Sequence, residues 1–236
     1  MPDPITLFFG KRLAGRFEFS SEDAHHMCHV LRNGVGDRIW AINGSGTAFE
    51  VELDQVEARK AYGVICSELP DFNEPACEII LMQGLIQQSK MDWLVEKATE
   101  LGTTEIRPVC SKAKVGPGRM RRWERLARSA TKQCLRGLIP AVHEPQDLNT
   151  ALADLPADSQ RFLLDPGGQA GYVIDPANAG PIVLAVGPEK GFTDDQLDTF
   201  GEAGFLRITL GIRRLRAETA AIAALSMLQP HLLGRR

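Results

Sequence analysis

The chain has 236 residues, 44% of them hydrophobic and 24% charged, with a formal net charge of −3. That balance is ordinary for a globular protein and permits a sizeable core, in one large domain or two modest ones, without disulfides or metals. No apolar run approaches the roughly 20 residues of a membrane-spanning helix, and the five cysteines (Cys28, Cys66, Cys77, Cys110, Cys134) never form a C-x-x-C pair, which excludes a zinc or disulfide framework.

Met1 to Gly10 lacks a basic stretch followed by an apolar one, so no secretory signal is expected. Unpaired cysteines fit a reducing, cytoplasmic setting. The first third reads as small and β-rich. A short helix is predicted over Glu22–Leu31, ahead of the Asn33-Gly34 break. Asp37–Ile42 is an apolar run. It is followed by Asn43-Gly44-Ser45-Gly46, whose Asn-Gly chemistry suits positive φ. Phe49, Val51 and Leu53 then alternate with Glu50 and Glu52, the period of a half-buried strand, and Tyr62–Ile65 is a further strand. Strands this short suit a small barrel or curled sheet. Pro70–Pro75, polar and twice interrupted by proline, is the boundary candidate.

Beyond it strands alternate with helices. Glu78–Ile86 is a strand. Ser89 is placed to cap a helix striped by Met91, Leu94, Val95, Ala98 and Leu101 and ended by Gly102. Glu105–Cys110 is a strand that Pro108 pushes toward an edge. Met120–Leu138 is helical. Arg161–Asp165 is a strand stopped by Pro166-Gly167-Gly168, and Ile182–Gly187 is another. Thr193, with Gln196 three residues on, opens a helix ending near Gly204. Phe205–Leu210 is a strand, and Glu218–Leu228 a helix stopped by Pro230. This alternation predicts a largely parallel sheet covered on both faces, an α/β fold.

Charge is uneven. Ser111 to Arg136 holds nine basic residues and one acid, Glu124, a charge of +8 that leaves −11 on the remainder. Arg121, Arg125, Arg128, Lys132 and Arg136 recur at helical spacing as one stripe, with Trp123, Leu126, Ala127, Ala130 and Cys134 on another face. A solvated helix usually mixes signs, so a polyanion, met through phosphates, accounts better for the stripe than a lipid surface does. His25 and His29 share a helix face. No third ligand follows at useful spacing, so no metal site is expected.

Two glycine loops each follow a strand and precede a helix. The first is Gly187-Pro188-Glu189-Lys190-Gly191-Phe192. The second runs from Leu210 and Gly211 through Arg213, Arg214, Leu215 and Arg216 to Glu218-Thr219-Ala220. Such loops lie where open α/β sheets bind ligands, although the same residues suit an ordinary strand-to-helix turn. Glu218 fits the positive end of a helix. The arginines fit a bound polyanion or a developing negative charge. No G-x-x-x-x-G-K-[ST] loop, no G-x-G-x-x-G after a strand and no G-x-S-x-G elbow occurs, which argues against nucleotide hydrolysis, dinucleotide binding and esterase chemistry.

Together the two loops resemble the paired signature of the RsmE family, uracil-N3 methyltransferases of small-subunit ribosomal RNA within the SPOUT superfamily. The likeness extends over Lys90–Gly102, Trp123–Gln133 with Arg136 and Pro140, and His26–Arg32 with Gly36-Asp37. It departs at Lys190, where the family usually has glycine, and at Thr6-Leu7-Phe8, where an Arg-Phe opening is common. The resemblance implies a PUA-like RNA-docking β-barrel over residues 1–72 and a SPOUT methyltransferase domain over residues 73–236, its parallel sheet ending in a trefoil knot. It implies S-adenosyl-L-methionine as cofactor, held by Leu163, Leu164, Gly187, Pro188, Glu189, Gly191, Leu206, Leu210, Gly211 and Leu215, within the loops Leu163–Pro166, Gly187–Gly191 and Leu206–Leu215. It further implies a cytoplasmic homodimer acting on 16S ribosomal RNA in the small subunit, without metal or membrane. Uracil N3 must lose a proton before it attacks a methyl group. Arg216 is therefore assigned to charge stabilisation, Glu218 to the base or to orienting Arg216, and Glu189 to the reserve. Arg121, Arg125, Arg128, Lys132 and Arg136 are assigned to RNA. The alternatives are a SPOUT ribose 2′-O-methyltransferase, disfavoured because no asparagine lies between Asn73 and Asn149, and a non-catalytic RNA-binding or ribosome-assembly factor. A small-molecule methyltransferase would leave the +8 window without a role.

Overall fold

The computed structural model describes residues 6–110, 115–170, 175 and 180–232. Lys112 and Lys114 of the basic window lie outside them. The chain divides into two compact units, Met1–Glu74 with Thr131–Ile139, and Pro75–Ala130 with Pro140–Arg236.

The first unit is a closed five-stranded barrel in the order β1-β2-β5-β4-β3. Its strands are β1 (Leu7–Arg12), β2 (Arg16–Phe19), β3 (Arg38–Ile42), β4 (Ala48–Glu57) and β5 (Lys60–Leu69). Antiparallel pairs make up the ladder, and a parallel β1–β3 pair closes it. Phe49, Val51 and Leu53 pack inward with Phe8, Phe17 and Phe19, as period two demands. Gly44 and Gly46 take φ of 83° and 98° in the turn between β3 and β4, and the Asn43 side chain accepts from Ser45 N at 3.0 Å.

Sequence periodicity misses β1 because both of its faces are covered. Phe8 enters the barrel core, while Leu7 and Phe9 join Ile42 and Ala48 in a second cluster against which Phe72, Leu135 and Ile139 pack. The predicted helix over 22–31 is split into α1 (Ser21–His26) and a π-helical turn, Met27–Leu31, which ends on Arg32 at φ 58°.

The second unit is a six-stranded, wholly parallel sheet in the order β11-β9-β10-β6-β7-β8. These strands are β6 (Ile79–Gly84), β7 (Glu105–Val109), β8 (Ala141–Val142), β9 (Gln160–Ala170), β10 (Ile182–Val186) and β11 (Leu206–Thr209). Helices α2 (Gln88–Glu100), α3 (Pro117–Gln133), α4 (Leu148–Ala153), α5 (Asp194–Glu202) and α6 (Ala217–Leu232) connect or follow them, the last turn of α3 belonging to the first unit. Every residue of β6 and β10 is buried, as befits central strands covered on both faces. No helix among the described residues is long and apolar enough to cross a membrane.

Several predicted boundaries move. The cap of α2 is Gln87, not Ser89. Pro108 lies inside β7, which is next to the edge strand of the sheet, as expected. The two residues of β8 pair only with Glu105 and Ile106, so no ladder partner there requires the missing Pro108 N–H. Pro166-Gly167-Gly168 does not stop β9. Its pairing with β11 jumps from Leu163↔Arg207 to Gln169↔Ile208, and Leu164–Gly168 bulge out between. Pro230 does not stop α6 either, which continues to Leu232. Helix α3 stops at Gln133 rather than Leu138, with Leu135 at φ 60°.

Candidate active site

The carboxyl ends of β9, β10 and β11 gather three loops around a cavity of about 760 Å³. From β10 comes Gly187–Phe192. Gly191 N donates to Pro188 O at 2.8 Å, and Gly191 takes φ 79°. Lys190 is absent from the positive-φ residues, so lysine in place of glycine brings no backbone strain. The loop sits tightly on β6: a Cβ on Gly84 would lie 2.4 Å from Pro188 Cδ, and one on Gly187 would lie 3.0 Å from Gly191 Cα. Buried Gln83 donates its side-chain amide to Gly84 O at 2.9 Å and to Gly187 O at 3.3 Å.

Charged groups converge beside this loop. The Glu189 carboxylate accepts from Gln87 N at 3.2 Å. Its own backbone N–H, and then those of Gln87 and the Lys90 ammonium, hold it below the usual glutamate range. Arg214 Nη2 donates to Glu189 O at 3.4 Å. Glu218 lies buried in the first turn of α6, where the helix dipole favours an anion, and its Oε2 has no hydrogen-bond partner. Lys90 Nζ stands between the two carboxylates, 3.7 Å from Glu189 and 3.8 Å from Glu218.

Of the residues assigned to the cofactor, Leu164, Gly187, Pro188, Glu189, Gly191, Leu210, Gly211 and Leu215 line the cavity, and so does Arg216. Leu163 and Leu206 do not. Leu163 points into the core beneath the sheet with Phe200 and Phe205, because adjacent strand residues face opposite ways. Leu206 opens β11, at the end away from the cavity. Glu218 lies behind the lining. Lys90, Thr209, Ile212 and Arg213 line it without having been assigned. Two signals pointed to Lys90: it opens the Lys90–Gly102 segment that resembles the family, and it is a cation in a helix's first turn, where the dipole disfavours it.

The basic stripe is not continuous. Arg121 and Arg125 are exposed and Arg128 is half-buried. Neighbouring Arg122 donates to Asp92 at 2.7 Å, and buried Trp123 donates its ring N–H to the other oxygen of Asp92 at 3.1 Å. Lys132 instead pairs with buried Asp23 at 2.5 Å, whose other oxygen accepts from Phe9 N and Ser20 Oγ. Arg136, beyond the helix, is 3% exposed and paired with Glu74, whose side chain is 9% exposed, at 2.6 Å. Both belong to the barrel unit's internal bonding. Loss of helical register at Leu135 is why Arg136 leaves the face its spacing predicted.

An open parallel sheet with a half-apolar cavity across its strand ends is the architecture of an α/β ligand-binding site, and residues 73–229 match the RNA methyltransferase domain family while residues 19–66 match the RNA methyltransferase PUA domain. The chain is 31% identical over 219 residues to ribosomal RNA small subunit methyltransferase E of Mycobacterium bovis, spanning 86% of this chain and 82% of that protein. It is 26% identical over 230 residues to the protein of that name from Bacillus subtilis, spanning 90% and 89%. The crystal structure of ribosomal RNA small subunit methyltransferase E from Neisseria gonorrhoeae bound to S-adenosyl methionine superposes with a TM-score of 0.85 at 29% identity, covering 97% of this chain and 98% of that one. This chain belongs to the RNA methyltransferases and, among them, to the ribosomal RNA small subunit methyltransferase E family.

Proposed function

We propose that this chain transfers the methyl group of S-adenosyl-L-methionine to N3 of a uridine in 16S ribosomal RNA of the small subunit. Residues 1–72, in one unit with Thr131–Ile139, dock RNA, and the rest of residues 73–236 forms a knotted methyltransferase domain that acts as a homodimer in the cytoplasm. One observation carries the reading: the two glycine loops meet around one cavity beside Lys90, Glu189, Arg216 and Glu218.

The cavity suits the cofactor. Its volume lies in the range of small-molecule sites, Leu164, Ile208, Leu210 and Leu215 offer apolar walls, and the Gly187–Gly191 backbone offers polar groups. When bound, the cofactor supplies an electrophilic methyl on a sulfonium. The protein's part is positioning and charge. The Glu218 carboxylate, next to the lining residues Arg216 and Ala217, accepts the N3 proton, Arg216 stabilises negative charge on the ring, and Glu189 is the reserve base. Arg121, Arg125 and Arg128 of α3 meet phosphates.

The test is incubation with small subunits from cells lacking the enzyme, followed by mass spectrometry of the RNA. N3-methyluridine is expected. Arg216→Ala and Glu218→Gln should each lose turnover while binding S-adenosylmethionine in calorimetry, and wild-type rates in both would remove these roles.

A further inference from the structure

Lys90 bridges Glu189 and Glu218 through two long ion pairs. It lies in the first turn of α2, where the helix dipole opposes a cation. Its two carboxylate neighbours stand at 3.7 and 3.8 Å, beyond hydrogen-bonding reach. Its side chain is only 27% exposed, and it lines the cavity. An ammonium carries three donors. Here they are gathered by charge next to Glu218, whose buried Oε2 lacks any donor.

We propose that Lys90 is a catalytic residue, donating to the pyrimidine carbonyl oxygen that gains negative charge as N3 gives its proton to Glu218. The inference rests on the uracil-N3 reading and adds a residue to it. When the N3–H bond breaks, the proton forms a new bond to the Glu218 carboxylate and the electron pair stays on the ring, shared between N3 and the adjacent oxygen. That pair then forms the N3–carbon bond, while the pair of the broken carbon–sulfur bond remains on sulfur. Lys90 keeps its own proton throughout, and Glu218 returns the transferred proton to water. The two neighbouring carboxylates keep Lys90 in place by charge alone, so its hydrogens stay available to a third acceptor.

The experiment compares wild type, Lys90→Met, Lys90→Gln and Lys90→Arg on small subunits lacking the modification. Turnover and KM for RNA are measured, with S-adenosylmethionine affinity by calorimetry and Tm for each. Loss of one oxyanion donor predicts a fall of about 100-fold in kcat for Lys90→Met and Lys90→Gln, with cofactor Kd within twofold and partial recovery in Lys90→Arg. A kcat within threefold of wild type overturns the role. So does a fall matched by an equal loss of cofactor affinity, which would make Lys90 a cofactor ligand. If Lys90→Met does not fold, Lys90→Gln decides. A wild-type product other than N3-methyluridine overturns the uracil-N3 reading itself, and with it the oxygen assigned here. The correct product with unaffected Lys90 variants overturns only the lysine's role.

Discussion

The Gln83 side-chain amide donates to the carbonyl of Gly187 at 3.3 Å, tying the end of β6 to the first residue after β10. Two adjacent parallel strands thereby hold the cavity loop from beneath. The neighbouring Gly84 completes the seat by leaving room for Pro188.

Gly84→Ala tests that seat. A Cβ 2.4 Å from Pro188 cannot be accommodated without moving the loop. Overpacking of this kind costs about 1–3 kcal/mol. A lower Tm is expected, together with S-adenosylmethionine binding about 5- to 150-fold weaker by calorimetry where the loop bears that whole cost, since 1.4 kcal/mol corresponds to tenfold in affinity. Unchanged affinity would mean that the loop does not hold the cofactor.

Arg136→Met separates structure from RNA contact. Breaking a buried pair costs about 3–5 kcal/mol because the remaining charge is left uncompensated, here Glu74, which also accepts from Leu138 N at 2.9 Å. Urea unfolding should show that loss. RNA affinity, measured below the unfolding transition, should stay near wild type.

Arg121→Gln with Arg125→Gln should do the reverse. Both side chains are exposed, so stability should change by no more than about 0.5 kcal/mol. If each meets a phosphate, the slope of log affinity against log salt should fall by about one for each arginine removed. Filter binding across a salt series reads this directly, and an unchanged slope would move the RNA face elsewhere.

A pH effect is expected at the start of β7. The Glu105 carboxyl is lowered to about 2, first by its hydrogen bond with His143 and then by Arg107. A carboxylate more acidic in the folded than in the unfolded protein contributes stability that is complete above its unfolded value, near 4.5, and disappears as pH falls toward 2. After allowance for solvent screening, the contribution is on the order of 1–2 kcal/mol. Glu105→Gln should be destabilised by that amount at pH 7, and its gap from wild type should shrink between pH 4.5 and 2 in urea unfolding.

Much of the architecture was legible because it depends on neighbours a few residues apart. The Thr193–Gln196 capping box forms as expected, the period-two face of β4 enters the barrel core, and the α2 stripe of Met91, Leu94, Val95 and Ala98 is buried. The alternation of strands and helices yields the parallel sheet. Errors cluster where a distant partner overrides the local pattern. Strand β1 hides its period because Leu7 and Phe9 are covered from the face opposite Phe8. Strand β9 passes its Pro-Gly-Gly because β11 takes up the pairing again at Gln169.

The chain's residues by themselves determined the family, the two-part order of barrel and parallel sheet, and the two glycine loops, since each is a property of short contiguous runs. Folding alone decided which cations are committed internally, Lys132 to Asp23 and Arg136 to Glu74, and which carboxylates surround Lys90. Those pairings join residues roughly 60 to 130 positions apart. Spacing along a helix states which side chains share a face, but whether that face meets water or a buried charge is set by what the rest of the chain brings against it.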